Sequence, residues 1–165
     1  MSDAPDSPLL IREACPVDQP AIAEFNRRLA LESESKVLDM AVLERGVAQA
    51  LADPDRIRYW IAAIPGSGQL AGQAAITREW SDWRNGWIWW LQSVYVAEPF
   101  RRQGTFRALY RHIHDEARAR LDVIGMRLYV EDANHRAHRT YLALGMKPGG
   151  YSVYQDLWIE RFHRA

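Results

Sequence analysis

The sequence predicts a mixed α/β fold, a sheet with helices on both faces, in the order β-α-α-β-β-β-α-β-α-β. Three observations predict it. Apolar residues recur at helical spacing in four separate segments. Short runs rich in β-branched and aromatic residues, bounded by turn residues, fall between those segments. Strand–helix–strand units in the second half favour a sheet covered on both sides.

Residues 1–8 are acidic and Pro-rich and read as a disordered tail; residues 9–165 read as one domain. The first strand is Leu9 to Ala14, closed by the break Cys15-Pro16-Val17-Asp18. From Gln19 to about Glu32, Ile22, Phe25 and Leu29 mark one face of a helix. After the polar loop 33–36, Asp39 has the side chain of an N-cap for a second helix bearing Leu43, Val47, Ala50 and Leu51. Asp53-Pro54-Asp55 ends it, because a proline disfavours helical geometry in the residue before it. Strands follow at Arg58–Ile64 and Gln69–Arg78, separated by the turn Pro65–Gly68. The segment Ser81–Gly86 ends in Asn-Gly, a strong hairpin signal, and leads into a long strand, Trp87–Val96. After Gly104, a long helix buries Phe106, Leu109, Tyr110, Ile113, Ala117 and Leu121, and Gly125 is its expected stop. Met126–Glu131 is the next strand, Asn134–Leu144 a helix stopped by Gly145, and Tyr151–Trp158 a final strand.

Bulk properties exclude several classes. The formal net charge is zero, so the whole molecule offers no electrostatic case for nucleic acid or an anionic membrane. Charge is nonetheless divided: residues 1–55 carry 5 basic and 11 acidic side chains, and the remainder 16 basic and 10 acidic. That division suits an anionic ligand and a cationic one, and equally suits two mixed surfaces. The single cysteine, Cys15, makes no internal disulfide, and no base stands near it in sequence to activate it. The opening residues lack the cationic start and apolar run of a signal peptide, and no stretch is long and apolar enough for a membrane span. A cytoplasmic location is expected.

The stretch Val94 to Arg107 carries the most chemistry. A strand feeds a short basic turn that opens a helix at Gly104. Such a junction gathers unpaired N–H groups and the positive end of a helix dipole, an arrangement suited to a pyrophosphate. Arg101 and Arg102 add full charge beside it. The other reading is a plain turn whose arginines face water. Neither G-x-x-x-x-G-K nor G-x-G-x-x-G is present.

The same stretch resembles the pyrophosphate loop of the GNAT superfamily of N-acetyltransferases, Arg/Gln-x-x-Gly-x-Gly/Ala after a strand. Arg101 and Gly104 fit; Phe106 departs, standing where the family has Gly or Ala. Downstream, Asn134 to Met146 is similar to the family segment Asn-x-x-Ala-x-x-x-Tyr-x-x-x-Gly-Phe/Met, with Asn134, Ala137, Tyr141 and Gly145 all matching. The resemblance implies a mostly antiparallel, twisted GNAT-type sheet and transfer of an acetyl group from acetyl-CoA to a primary amine in a ternary complex. It places the pantetheine arm against the backbone of Val94, Tyr95 and Val96, with an N–H near Val94 polarising the thioester carbonyl. Arg101, Arg102, Gln103, Gly104, Thr105, Phe106 and Arg107 are implied around the pyrophosphate, and Asn134 on the cofactor arm. Tyr141 is implied as general acid to the leaving thiolate; it is also spaced to pack with Ala137 and Leu144.

The amine must lose a proton. Glu79 is the first candidate base, acting through water, and Glu34 the second; both carboxylates have an ordinary surface reading, and water is a third acceptor. No metal site is expected: His112 and His114 do not share a helix face, and His135 and His138 lack a third ligand. Five of the seven tryptophans fall between Trp80 and Trp90, where core packing, an aromatic acceptor pocket and a dimer interface are all open readings. The expected partners are a small-molecule or peptide amine and a second copy in a homodimer, with no nucleic acid and no membrane. The alternative is a non-catalytic acyl-CoA-binding or sensor module of the same fold; a phosphate-binding domain of another family needs only Arg101–Gly104.

Overall fold

The structure, a computed structural model, describes residues 9–159. The expected tail at 1–8 lies outside the described residues. The chain divides into two compact units, one ending at Tyr129 and one beginning at Val130, described in turn.

The first unit is built on a five-stranded sheet in the order β1 (Leu10–Glu13), β2 (Arg58–Ala63), β3 (Leu70–Ser81), β4 (Gly86–Val96), β5 (Val123–Leu128). Its first three junctions are antiparallel and the last, β4 with β5, is parallel. Helix α1 spans Gln19–Glu34 and ends where Ser35 takes a φ of 52°, its N–H reaching the carbonyl of Leu31. Helix α2 spans Met40–Ala52 and is capped as expected: the Val42 N–H donates to Asp39 Oδ1 at 3.2 Å.

Both faces of this sheet are covered. Ile22, Ala23, Val47 and Ala50 of α1 and α2 join Tyr59, Ile61 and Ala75 in one buried cluster. Alternation along β2 turns Arg58 and Trp60 to the other face, where Trp60 meets Trp89 with ring centroids 6.2 Å apart. There α3 (Thr105–Ala119) closes the layer, and its Glu116 pairs with Arg58 at 2.9 Å.

Several expected boundaries move. Helix α3 stops at Ala119 rather than near Gly125, and Leu121 is fully exposed. The ladder of β4 captures Val123–Leu128 instead, with the Trp87 N–H already bonded to the Asp122 carbonyl at 2.8 Å. Gly125 is therefore a strand residue, and the strand expected at 126–131 begins and ends three residues earlier. Strand β3 runs on to Ser81 because Trp80 pairs with Trp87, edge to face at 5.1 Å, across the hairpin.

The second unit contains α4 (His135–Ala143), capped by Asn134 Oδ1, which accepts from the Ala137 N–H at 3.0 Å. Gly145, at φ 86°, ends it as expected. The strand expected at Tyr151–Trp158 is not formed. Its alternating apolar residues have the right period, but a strand exists only through a ladder, and no described strand pairs with it.

Candidate active site

The β4–β5 ladder runs from Trp87↔Val123 to Leu91↔Leu128 and stops. Beyond it, β4 continues to Val96, and among the described strands only β3 pairs with it there. In this free half lies a bulge. Register is kept at Ala75↔Gln92 and resumes at Gln73↔Tyr95, so Ser93 and Val94 together oppose the single residue Ala74. Ser93 takes a φ of 49°, a left-handed conformation unusual for a residue with a side chain. The bulge is held by Gln73, fully buried, whose Nε2 donates to the Ser93 carbonyl at 3.1 Å and to Asn26 Oδ1 of α1 at 2.8 Å. Asn26 Nδ2 in turn donates to the Tyr59 hydroxyl at 3.2 Å.

After β4 the chain makes a single 3-10 turn, Glu98–Phe100, and enters α3 through Arg102 at φ 63° and Gly104 at φ 83°. Thr105 Oγ1 donates to the Phe100 carbonyl at 3.0 Å and Gln103 Nε2 to the Pro99 carbonyl at 2.7 Å, bracing the turn. Gly104 is the N-cap and supplies no side-chain acceptor to the start of α3. A Cβ on Gly104 would meet nothing within 4 Å, so the space around that position is open. Phe106, the departure from the family loop, turns its ring toward Tyr110 on α3, centroids 6.1 Å apart, and its backbone still belongs to the helix start. These features fit an acyl-CoA: a strand edge for an amide-bearing arm, and an uncapped helix start for its phosphates.

Arg101 is bonded within the protein. Its Nε donates to the Val96 carbonyl at 2.9 Å and its Nη2 to Glu32 at 2.6 Å, with the Tyr95 hydroxyl 3.2 Å away. Tyr95 also donates to Glu32, at 2.8 Å. Partial burial works against the charge on Glu32, yet the bonds from Tyr95 and Arg101 leave its pKa below the ordinary carboxylate value. The guanidinium thus ties the loop to α1, and Arg102 and Arg107 are exposed at the helix start.

Asn134 and Tyr141 belong to the second unit. The Asn134 oxygen is committed to the α4 cap. Tyr141 is half-buried on α4, and burial pushes its phenol pKa above the ordinary 10. Of the candidate bases, Glu79 accepts from Trp90 Nε1 at 2.6 Å and from Arg127 Nη1 at 3.1 Å. It pairs with Ile88, six residues along β4 from Val94, roughly 17–20 Å at the rise of a strand. A proton cannot pass directly from a group at Val94 to Glu79. Glu34, exposed at the end of α1 and paired with Lys36, shares the helix end whose Glu32 reaches Tyr95.

The tryptophan cluster divides. Trp89 is core, Trp80 and Trp87 meet edge to face at the hairpin, and Trp90 lies against Tyr129 with centroids 4.4 Å apart. Among the described residues no group of three His, Cys, Asp or Glu is placed to hold a metal, and no helix is long and apolar enough to cross a membrane. Cys15 is exposed, and its N–H donates to Asp18 Oδ2 at 2.8 Å as part of the turn after β1.

Sequence reasoning missed Gln73, Asn26, Glu32 and Ser93. Gln73 had a signal: it is the one polar side chain in Leu70–Ile76. The other three look like ordinary helix and strand polar residues.

The model of the acetyltransferase (GNAT) family matches residues 23–146. A possible acetyltransferase from Clostridium difficile 630 is 41% identical, with a TM-score of 0.84 over 90% of this chain and 97% of that one. A predicted acetyltransferase from Clostridium acetobutylicum, solved with acetyl-CoA, shares the fold at 18% identity, with a TM-score of 0.73 over 95% of this chain and 100% of that one. No curated protein sequence matches. Fold and matches together define an acyl-CoA-dependent acetyltransferase. The chain belongs to the acetyltransferase (GNAT) family, whose model spans most of its length.

Proposed function

We propose that the protein moves an acetyl group from acetyl-CoA to a primary amine by direct attack in a ternary complex. The observation that carries this reading is the free half of β4: an unpaired edge with a bulge at Ser93–Val94, running into a helix start that has no side-chain cap. Bound acetyl-CoA supplies the acetyl thioester. The backbone of Val94, Tyr95 and Val96 holds the amide-bearing arm as an added strand would. The N–H groups of Gly104, Thr105, Phe106 and Arg107 meet the pyrophosphate, with Arg102 and Arg107 adding charge and Gln103 bracing the turn. Arg101 serves the same site from behind, by fixing the loop to α1. The Val94 N–H holds the charge that develops on the thioester oxygen.

Asn134 keeps its amide N–H groups for a carbonyl of the arm, its oxygen being used in the cap. Tyr141 donates the proton that the departing thiolate requires; a phenol is protonated at neutral pH, and burial shifts this one further up. For the proton the amine loses, Glu79 serves only through intervening water, and Glu34 is the second acceptor. Glu79→Gln and Glu34→Gln distinguish them: the true acceptor loses about 100-fold or more in kcat/KM for the amine. If neither loses it, water is the acceptor.

Isothermal titration with acetyl-CoA tests the reading, with dephospho-CoA and ATP as controls. Saturable acetyl-CoA binding that Gly104→Glu abolishes is expected, because the new carboxylate would stand in the open space around that position. Thiol release in a screen of amines then identifies the acceptor. Absence of acetyl-CoA binding by the unaltered protein would overturn the transferase reading.

A further inference from the structure

We propose that Gln73 is a positioning residue for catalysis: by holding the Ser93 carbonyl, it aims the Val94 N–H at the thioester oxygen. The inference rests on the acetyl-transfer reading above and names what sets its geometry. Ser93 and Val94 share one peptide plane, and no peptide bond among the described residues is cis. In a trans peptide the C=O and N–H point in opposite directions. Gln73 lies on β3, and its carboxamide, on the α1 face of the sheet beside Asn26, holds the Ser93 oxygen. The Val94 N–H is therefore turned away from that carboxamide, in the part of β4 where the ladder with β5 has already ended at Leu91. Neither Ser93 nor Val94 has a register partner on β3, so the ladder itself does not fix this plane.

The orientation of Gln73 is determined by its neighbours. The Ser93 carbonyl only accepts, so the NH2 end of the carboxamide must face it. That NH2 also reaches Asn26 Oδ1 on α1, which anchors the side chain from behind. The Gln73 oxygen is left buried without a partner among the described residues. A buried acceptor in that state is destabilising. An apolar side chain of the same size would avoid the cost, so the two donors are what this position uses. The residues that follow are fixed as well: Tyr95 is bonded to Glu32, and the Val96 carbonyl accepts from Arg101. Helix α1 thus grips β4 on both sides of Val94.

The test compares the unaltered protein with Gln73→Met, which keeps the length and removes the donors. Infrared difference spectra of carbonyl-labelled acetyl-CoA report the bond to the thioester oxygen directly. The expected result is a downshifted band in the unaltered protein that returns toward its free position in Gln73→Met. With it, kcat falls at least ~10-fold, since loss of one such donor costs 100-fold or more, while the Kd for CoA, which has no acetyl oxygen, changes little. An unchanged band and kcat in the folded variant would overturn the proposal. So would parallel losses of kcat and CoA affinity, which mark general distortion. If Gln73→Met does not fold, Asn26→Ala removes the anchor without touching the strand and is read the same way. An unaltered protein that binds no acetyl-CoA instead sinks the transferase reading itself.

Discussion

Arg101 and Glu32 stand 2.6 Å apart and tie the loop before α3 to the end of α1. The pair is partly exposed, so its direct contribution to stability is small, on the order of 0.5–1 kcal/mol. Its effect on the loop is expected to be larger. If Arg101 acts through this tie, Arg101→Ala and Glu32→Ala weaken acetyl-CoA binding by similar factors, and the double variant is no worse than either. A direct phosphate contact by Arg101 would leave Glu32→Ala with near-normal affinity. Titration calorimetry on the three variants decides it.

Gly72 packs where β3 meets the far side of the bulge. A Cβ there would lie 2.5 Å from the Tyr95 carbonyl oxygen and 3.2 Å from Val96 Cα, both backbone atoms. Gly72→Ala should therefore cost about 1–3 kcal/mol and weaken acetyl-CoA binding by displacing β4. Gly46→Ala is the contrast: Gly46 is exposed on α2 with nothing within 4 Å of its Cβ position. It should gain roughly 0.5–1 kcal/mol. Urea midpoints of the two variants should move in opposite directions.

Arg102 holds a left-handed φ of 63° beside the start of α3. Arg102→Gly should raise stability by about 1 kcal/mol, because glycine adopts that conformation without strain. The same change removes a cation from the proposed phosphate site, so the acetyl-CoA Kd should rise and its salt dependence should lessen. Opposite signs for stability and affinity, read by thermal melts and by titration at two salt concentrations, are the expected signature.

Asp18 is buried and accepts both arms of Arg12, at 2.7 and 2.8 Å. The Arg12 bonds, opposed by burial and aided by the Cys15 N–H, lower its pKa below the ordinary 3.8. A carboxylate lowered in the folded state stabilises above its unfolded pKa. That contribution is fully present above about pH 5 and is lost as pH falls below 3.8 through the folded value. Asp18→Asn should be less stable at neutral pH and lose less of its remaining stability on acidification. Urea midpoints between neutral pH and the acid limb check this.

Tyr141→Phe should lower kcat by about 100-fold or more with the acetyl-CoA Kd unchanged, as loss of a general acid does. An equally active variant would return Tyr141 to the packing role its spacing with Ala137 and Leu144 also allows.

Local rules were legible in the chain. Asp39 as a cap, Gly145 as a stop, the Asn-Gly hairpin and the apolar stripe of α3 all follow from side-chain chemistry within a few residues. The motif pair at Arg101–Gly104 and Asn134–Gly145 pointed to the family that the comparisons show. The end of α3 was not legible, because Leu121 continues the helical period and only the ladder with β4 withdraws Val123 from it. Likewise the period of Tyr151–Trp158 suits a strand, but period supplies no partner.

The sequence by itself determined the class of fold and the helix start at Gly104, which depend on neighbours in the chain, while Tyr141 was singled out by the family resemblance and not by its spacing. Only the tertiary structure decided that Arg101 faces Glu32, that Glu79 stands far along the sheet from Val94, and that Gln73 holds the bulge. Those outcomes depend on contacts between residues 20 to 69 positions apart. Such pairings are set by which strands lie side by side and in what register, and local spacing carries no record of that.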